Sequence, residues 1–155
     1  APDHAWELGN AADIPVLGDE AALRQILTNL LANARVHTPA GTRVVVSLTR
    51  SDDEAVAACV RARSRAKGQG KAEGAPASSM VTIRVADDGP GIPPAIRDRV
   101  FDRFVRGDSS RTRDGRGSSG LGMSIVESLA LAMGGAVRLA DSEKGTVIEV
   151  MLPAA

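Results

Sequence analysis

Apolar residues recur along this chain at two distinct periods. In DEAALRQILTNLLANARVH, Leu23, Ile26, Leu27, Leu30, Leu31 and Ala34 return every three or four positions, which predicts one long amphipathic helix. Asp19 stands before it as an N-cap, and Thr38-Pro39-Ala40-Gly41 stops it. Before that helix, WELGNAADIPVLGDE reads as extended chain. TRVVVSLTR and VTIRVADD carry the valines and isoleucine of strands. A shorter amphipathic helix is predicted from Pro94 to Phe104, with Ile96, Val100, Phe101 and Phe104 on one side. A second long helix, LGMSIVESLALAM, ends at Gly134-Gly135, and AVRLADS with GTVIEVMLP reads as a closing hairpin.

Residues 51 to 80, rich in Ala, Arg, Lys and Gly, read as an insertion loop with a ragged strand or helical turn around EAVAACV. Helices interspersed with hairpin-paired strands give an α+β class: a two-layer sandwich, one mixed and mainly antiparallel sheet covered on one face by about three helices. The 155 residues suit a single domain.

Composition narrows the possibilities. Nineteen basic and nineteen acidic side chains cancel, so net charge gives no support to nucleic-acid or membrane-surface binding. One cysteine excludes an internal disulfide, and with two histidines it is too few for a four-ligand zinc site. No apolar run approaches the roughly 20 residues that span a bilayer.

Three constellations carry candidate chemistry. Asn29, Asn33 and His37 stand four apart on the first long helix and share one line of its surface. At about 100° per residue, Asn33 falls beside Ile26 at the margin of the apolar stripe. Carboxamides there suit a hydrated magnesium ion, which prefers hard oxygen ligands, or equally a hydrogen bond to a neighbouring loop. In VADDGPGIPP a strand runs into Asp87-Asp88-Gly89-Pro90-Gly91. Its glycines allow a tight bend and close approach of a flat ligand, and a carboxylate at the strand end can accept from an exocyclic amine such as that of adenine. The plain alternative is a polar turn. The third stretch, GRGSSGLGM, places Gly120 and Gly122 where a helix begins, with free N–H groups and the positive end of the dipole outward. A dinucleotide fingerprint would need a strand directly before these glycines, and the GxxxxGK[ST] phosphate loop is missing.

In order, NLLANARVHTP, DDGPGIP, VFDRFVR, GSSGLGMSIV and a late Gly-Thr before an LP-ended strand resemble the ATP-binding catalytic domain of bacterial sensor histidine kinases. These belong to the GHKL group with gyrase, heat-shock chaperone and mismatch-repair ATPases, and the wording here is of an actinobacterial kind. The resemblance covers Val16 to Pro153 around the insertion. It implies ATP and Mg2+ as cofactors, with Asn33 on the metal and Asn29 on the same phosphate side. It implies Asp87 on the adenine amine, Gly89 and Gly91 beneath the base, Ile92 packed on it and Thr146 in the same network. His37 would lie near the phosphates, Arg106 would reach the γ-phosphate, and Gly120, Leu121 and Gly122 would present amides.

By the same resemblance, a mobile ATP lid runs from Ile92 to Ser119, anchored by Phe101 and Phe104. Two positions depart from the usual pattern: Val36, where Lys or Arg commonly stands, and Ser118, where Gly does. No His followed by Glu or Asp marks a phosphoacceptor helix. The implied partners are therefore the protein's own upstream histidine-containing dimerisation domain and, through the full kinase, a response regulator. The fragment is expected to be monomeric, cytoplasmic and part of a membrane-anchored sensor. A degenerate or anti-sigma-type module is the alternative.

Overall fold

The asparagine helix forms as its pattern requires. In a computed structural model, which describes residues 3–11, 13–67, 79–105 and 120–155, α1 spans Glu20–His37 and the Asp19 carboxylate caps it by accepting from the Ala22 N–H at 2.7 Å. Ile26, Leu30 and Ala34, each one turn apart, are its buried residues. The helix stops where the Thr38 hydroxyl bonds back to the Ala34 carbonyl at 2.7 Å and the backbone turns extended.

Five strands form one sheet: β1 (Ala5–Leu8), β2 (Arg43–Ser51), β3 (Met80–Asp87), β4 (Ala136–Ala140) and β5 (Thr146–Pro153), in the order β1-β2-β3-β5-β4. β1 runs parallel to β2, and every other pairing is antiparallel. Register places Ile83 opposite Val150 and Val85 opposite Ile148. These residues, with Val44, Val137 and Leu152, pack against the inner stripes of α1 and of α4 (Gly122–Ala132), where Met123, Val126 and Ala130 are buried. The mixed sheet and the helical layer on this face agree with the sequence expectation.

At its C-terminus, α4 meets β5 at very short range. Gly134 turns left-handed (φ 74°), and the Gly135 N–H bonds to the Ala130 carbonyl at 2.8 Å. A Cβ at Gly135 would overlap the Met151 carbonyl oxygen, so only glycine lets the helix end here.

Two expectations need correction. The 51–80 stretch is not loop throughout: α2 occupies Glu54–Ala66, capped by Asp53, whose carboxylate accepts from the Ala55 N–H at 2.8 Å. Its Val56, Ala57 and Val60 pack on Met80, Ala136 and Met151, on the sheet face opposite α1 and α4. Alanine offers little hydrophobic contrast, so the stripe was illegible without the surface it covers. Residues 68–78 lie outside the described residues.

The helix expected over Pro94–Phe104 shrinks to α3, Pro94–Arg97. Beyond it, bonds of the Arg99 N–H to Ile96 and the Asp102 N–H to Arg99 form successive tight turns. Phe101 is half-buried against the main core, but Phe104 sits at φ 63° and is 72% exposed, so it is the Phe104 N–H, bonded to the Gly120 carbonyl at 2.9 Å, and not the ring, that ties it to the body.

Leu30 is 1% exposed and Leu8 72%. Leu30→Ala is expected to cost about 2–5 kcal/mol through lost burial and the cavity left behind, and Leu8→Ala less than about 0.5 kcal/mol. Urea unfolding of the two variants beside the parent checks both values.

Candidate functional site

Asp87 ends β3 on the helix-covered side, in register with Val44 on one neighbour and Thr146 on the other. Its Oδ1 accepts from the Gly89 N–H at 3.0 Å and the Thr146 N–H at 3.2 Å. Burial pushes the carboxyl above its ordinary value, against the bonds from Gly89 and Thr146 that pull it down. The turn after it is packed on two sides. A Cβ at Gly89 would lie 2.8 Å from the Thr38 methyl and 3.0 Å from Asp87 Oδ1. Gly91 is left-handed (φ 78°), and a Cβ there would meet the Gly145 carbonyl at 3.1 Å. Gly145 (φ 74°) itself rests so close to the Asp87 carbonyl that a Cβ would overlap it. Ile92 follows, half-buried.

Thr38 is held from behind. Because its hydroxyl donates to Ala34, it accepts from Nε2 of the buried His4 at 2.9 Å. The C-terminal end of α1 and the Asp87 turn are thereby one packed unit.

Two turns back along α1, Asn29 faces the start of α4, its Oδ1 3.9 Å from where a Gly122 Cβ would stand. Gln25 donates to that oxygen at 3.4 Å, and the Asn29 Nδ2 is buried without a hydrogen-bond partner. Gly120 is left-handed (φ 71°), and Leu121 forms the N-cap with a side chain that makes no capping hydrogen bond. Asn33 is half-buried between the two ends. His37 is exposed, yet the atoms around its ring lower its imidazole pKa by desolvation. Arg106 lies outside the described residues, as do Ser118 and the rest of 106–119.

The structure thus brings together Asp87, Gly89, Gly91 and Thr146 at one end of α1, and Asn29 with Gly120, Leu121 and Gly122 at its middle. Nine residues separate Asn29 from Thr38, about 14 Å along the helix. Thr38 and Gly145 were missed in the sequence because each reads as an ordinary helix stop or turn residue.

A family model described as "Histidine kinase-, DNA gyrase B-, and HSP90-like ATPase" matches residues 18–155. The chain belongs to this ATPase family. Within it, the probable sensor histidine kinase TcrY of Mycobacterium tuberculosis is 39% identical over 153 residues, which is 98% of this chain and 26% of TcrY. The signal transduction histidine-protein kinase/phosphatase MprB of Mycolicibacterium vanbaalenii is 37% identical over 143 residues, 89% of this chain and 24% of MprB. The chain spans about a quarter of the curated relatives it matches.

A solved structure of mycobacterial MprB aligns with a TM-score of 0.68 at 32% identity, covering 98% of this chain and 84% of that one. Full-length ShkA in complex with AMPPNP gives 0.64 at 30%, covering 99% and 26%. The ATP-binding domain of PrrB from Mycobacterium tuberculosis, at 23% identity and 0.64, covering 100% and 83%, shares the fold. This member of the family thus shares its fold with these solved structures.

A carboxyl whose pKa is raised on folding holds its proton more tightly folded than unfolded. Its contribution to stability therefore falls as pH climbs through the ordinary carboxylate range to the raised value. Asp87→Asn keeps an acceptor for Gly89 and Thr146 and removes the charge. The unliganded variant is expected to melt above the parent at pH 7, the gap closing near pH 3. Thermal denaturation across that range checks it, and a variant less stable at pH 7 would contradict the sign.

Proposed function

We propose that this chain binds Mg·ATP and donates its γ-phosphoryl group to a histidine on a separate dimerisation domain, as the catalytic part of a sensor histidine kinase. The observation that carries this reading is the half-buried Asp87 carboxylate at a strand end, braced by two backbone N–H groups and faced by glycines. An acceptor so placed matches the exocyclic amine of adenine and opposes the carbonyl guanine presents there. Gly89 and Gly91 let the turn after Asp87 pack tightly on Thr38 and Gly145, while Ile92 packs on the base and Thr146 shares the network.

Toward the middle of α1, the start of α4 at Leu121 and Gly122 offers backbone N–H groups and the positive end of a helix dipole to phosphates, with Gly120 shaping the approach. The unpartnered Asn29 Nδ2 is a donor awaiting an acceptor, which a phosphate oxygen supplies. Among the described residues no group of three His, Cys, Asp or Glu could hold a metal ion. Magnesium would therefore be held mostly by the phosphates, with Asn33 contributing a carboxamide oxygen and the ion neutralising phosphate charge. His37, whose pKa is lowered by desolvation in the unliganded chain, stands near the phosphates as a hydrogen-bonding group. Arg106 supplies the cation at the γ-phosphate.

In the transfer, the bond from the γ-phosphorus to the oxygen of ADP breaks and one to a histidine nitrogen forms. This chain's part is positioning and electrostatics, the terms on which phosphoryl transfer depends. The relatives that share the domain are named as sensor histidine kinases, which supports an upstream histidine-containing dimerisation domain and a response regulator as partners. No helix among the described residues is long and apolar enough to cross a membrane, which fits a cytoplasmic part of a membrane-anchored sensor.

Calorimetric titration of Mg·ATP into this chain and its Asp87→Asn variant tests the site. A charge-assisted hydrogen bond contributes about 1.5–3 kcal/mol, so the variant is expected to bind about ten- to a hundredfold more weakly. A separately made acceptor hairpin should then acquire acid-labile, base-stable phosphate. No binding by the parent chain would mark it as a degenerate module.

A further inference from the structure

Asp87 ends β3, and a second carboxylate, Asp88, follows it directly. Asp87 turns toward α1. Asp88 turns to the exposed side, where its Oδ1 accepts the backbone N–H of Arg43 at 2.8 Å while its own N–H donates to the Arg43 carbonyl at 3.2 Å. Asp88 therefore holds both backbone groups of the first residue of β2, one step beyond the Val44–Asp87 pair where the regular ladder ends.

The Arg43 side chain does not compete for this carboxylate. Its guanidinium is taken by Glu7 of β1, with Nε at 2.7 Å from Oε1 and Nη2 at 2.5 Å from Oε2. The other oxygen, Asp88 Oδ2, lies 3.5 Å from Lys144 Nζ. Lys144 directly precedes Gly145, which packs against the Asp87 carbonyl, and Thr146, whose N–H braces Asp87 Oδ1. One side chain thus touches both segments that flank the Asp87 turn.

We infer that Asp88 is a positioning residue for base recognition: by clamping the Arg43 backbone, and secondarily through Lys144, it holds the turn so that Asp87 meets the adenine amine in line. This rests on the nucleotide reading above and adds a residue that touches no ligand. The Lys144 arm is the weaker one, since both side chains are largely solvated and such pairs contribute little. The clamp on the backbone N–H needs an acceptor and not a charge. Asparagine can therefore replace Asp88, and alanine cannot.

The test measures Mg·ATP, Mg·GTP and magnesium tripolyphosphate binding by calorimetry on the 155-residue chain, for the parent, Asp88→Ala and Asp88→Asn. Asp88→Ala is expected to bind ATP about tenfold more weakly and to lose about as much of the parent's preference for ATP over GTP. Its tripolyphosphate affinity should not change, because the phosphate end lies beside Asn29 and α4. Asp88→Asn should keep ATP affinity within about threefold of the parent.

A merely structural role would weaken all three ligands together, and that result overturns the inference. So does an Asp88→Ala variant with the parent's affinity and preference, or an Asp88→Asn variant as weak as Ala. If Asp88→Ala does not melt cooperatively, Asp88→Asn alone decides, since a larger loss than threefold contradicts the clamp. A parent that binds no Mg·ATP sinks the nucleotide reading and this inference with it. ATP binding that depends on Asp87 and not on Asp88 sinks only the inference.

Discussion

The seam between α1 and the sheet is the constraint on which the other features depend. Ile26, Leu30 and Ala34 must face Ile83, Val85 and Ile148 to leave water, and this fixes the rotation of the helix about its axis. Once the rotation is set, Asn29 and Asn33 can only lie at the rim of the core, beside α4 and the strand ends. Burial of an apolar stripe thus aims a polar line. Local hydrogen bonds, such as those of Gly89 and Thr146 to Asp87, then refine a placement that the core has already set.

That placement leaves groups in environments that oppose their free energy as isolated side chains. Asp87 is half out of water with one oxygen committed to two backbone donors, and its burial disfavours the charged form. The Asn29 Nδ2 is buried with no acceptor. The start of α4 has no side-chain cap. Each costs stability in the unliganded chain, and each would be relieved by the proposed ligand, with an amine at one end and anionic oxygens at the other. The apolar core, in two clusters on the two faces of the sheet, is large enough to carry them.

The end of β3 shows how one strand separates two like charges. Asp87, the last residue of the strand, goes to the covered side, and Asp88, just past the strand, is exposed to solvent. The environments then diverge: burial raises the first, and the hydrogen bond from the Arg43 N–H holds the second below its usual range. The charge of Asp88 also raises Asp87 slightly, so the pair is coupled through space as well as through the backbone.

Helices α1 and α4, the four principal strands and the two glycine-bearing boxes were legible in the sequence, because period, capping residues and turn chemistry are local. Asp19, Gly134 and the Val-rich strands announce themselves within a few residues. What the sequence could not carry was contact between distant segments. The packing of α2 under Met80 and Met151 depends on a surface that lies 20 residues beyond Val60 at Met80 and 91 beyond it at Met151, and an alanine-rich stripe gives no contrast without it. Phe104 reads as an anchor by residue type, yet tight turns after α3 leave it in solvent. Thr38, Gly145 and Asp88 gain meaning only when α1, the β4–β5 turn and β2 converge on Asp87. Local chemistry named the candidate ligands of the site; non-local packing alone decided which side chains hold them still.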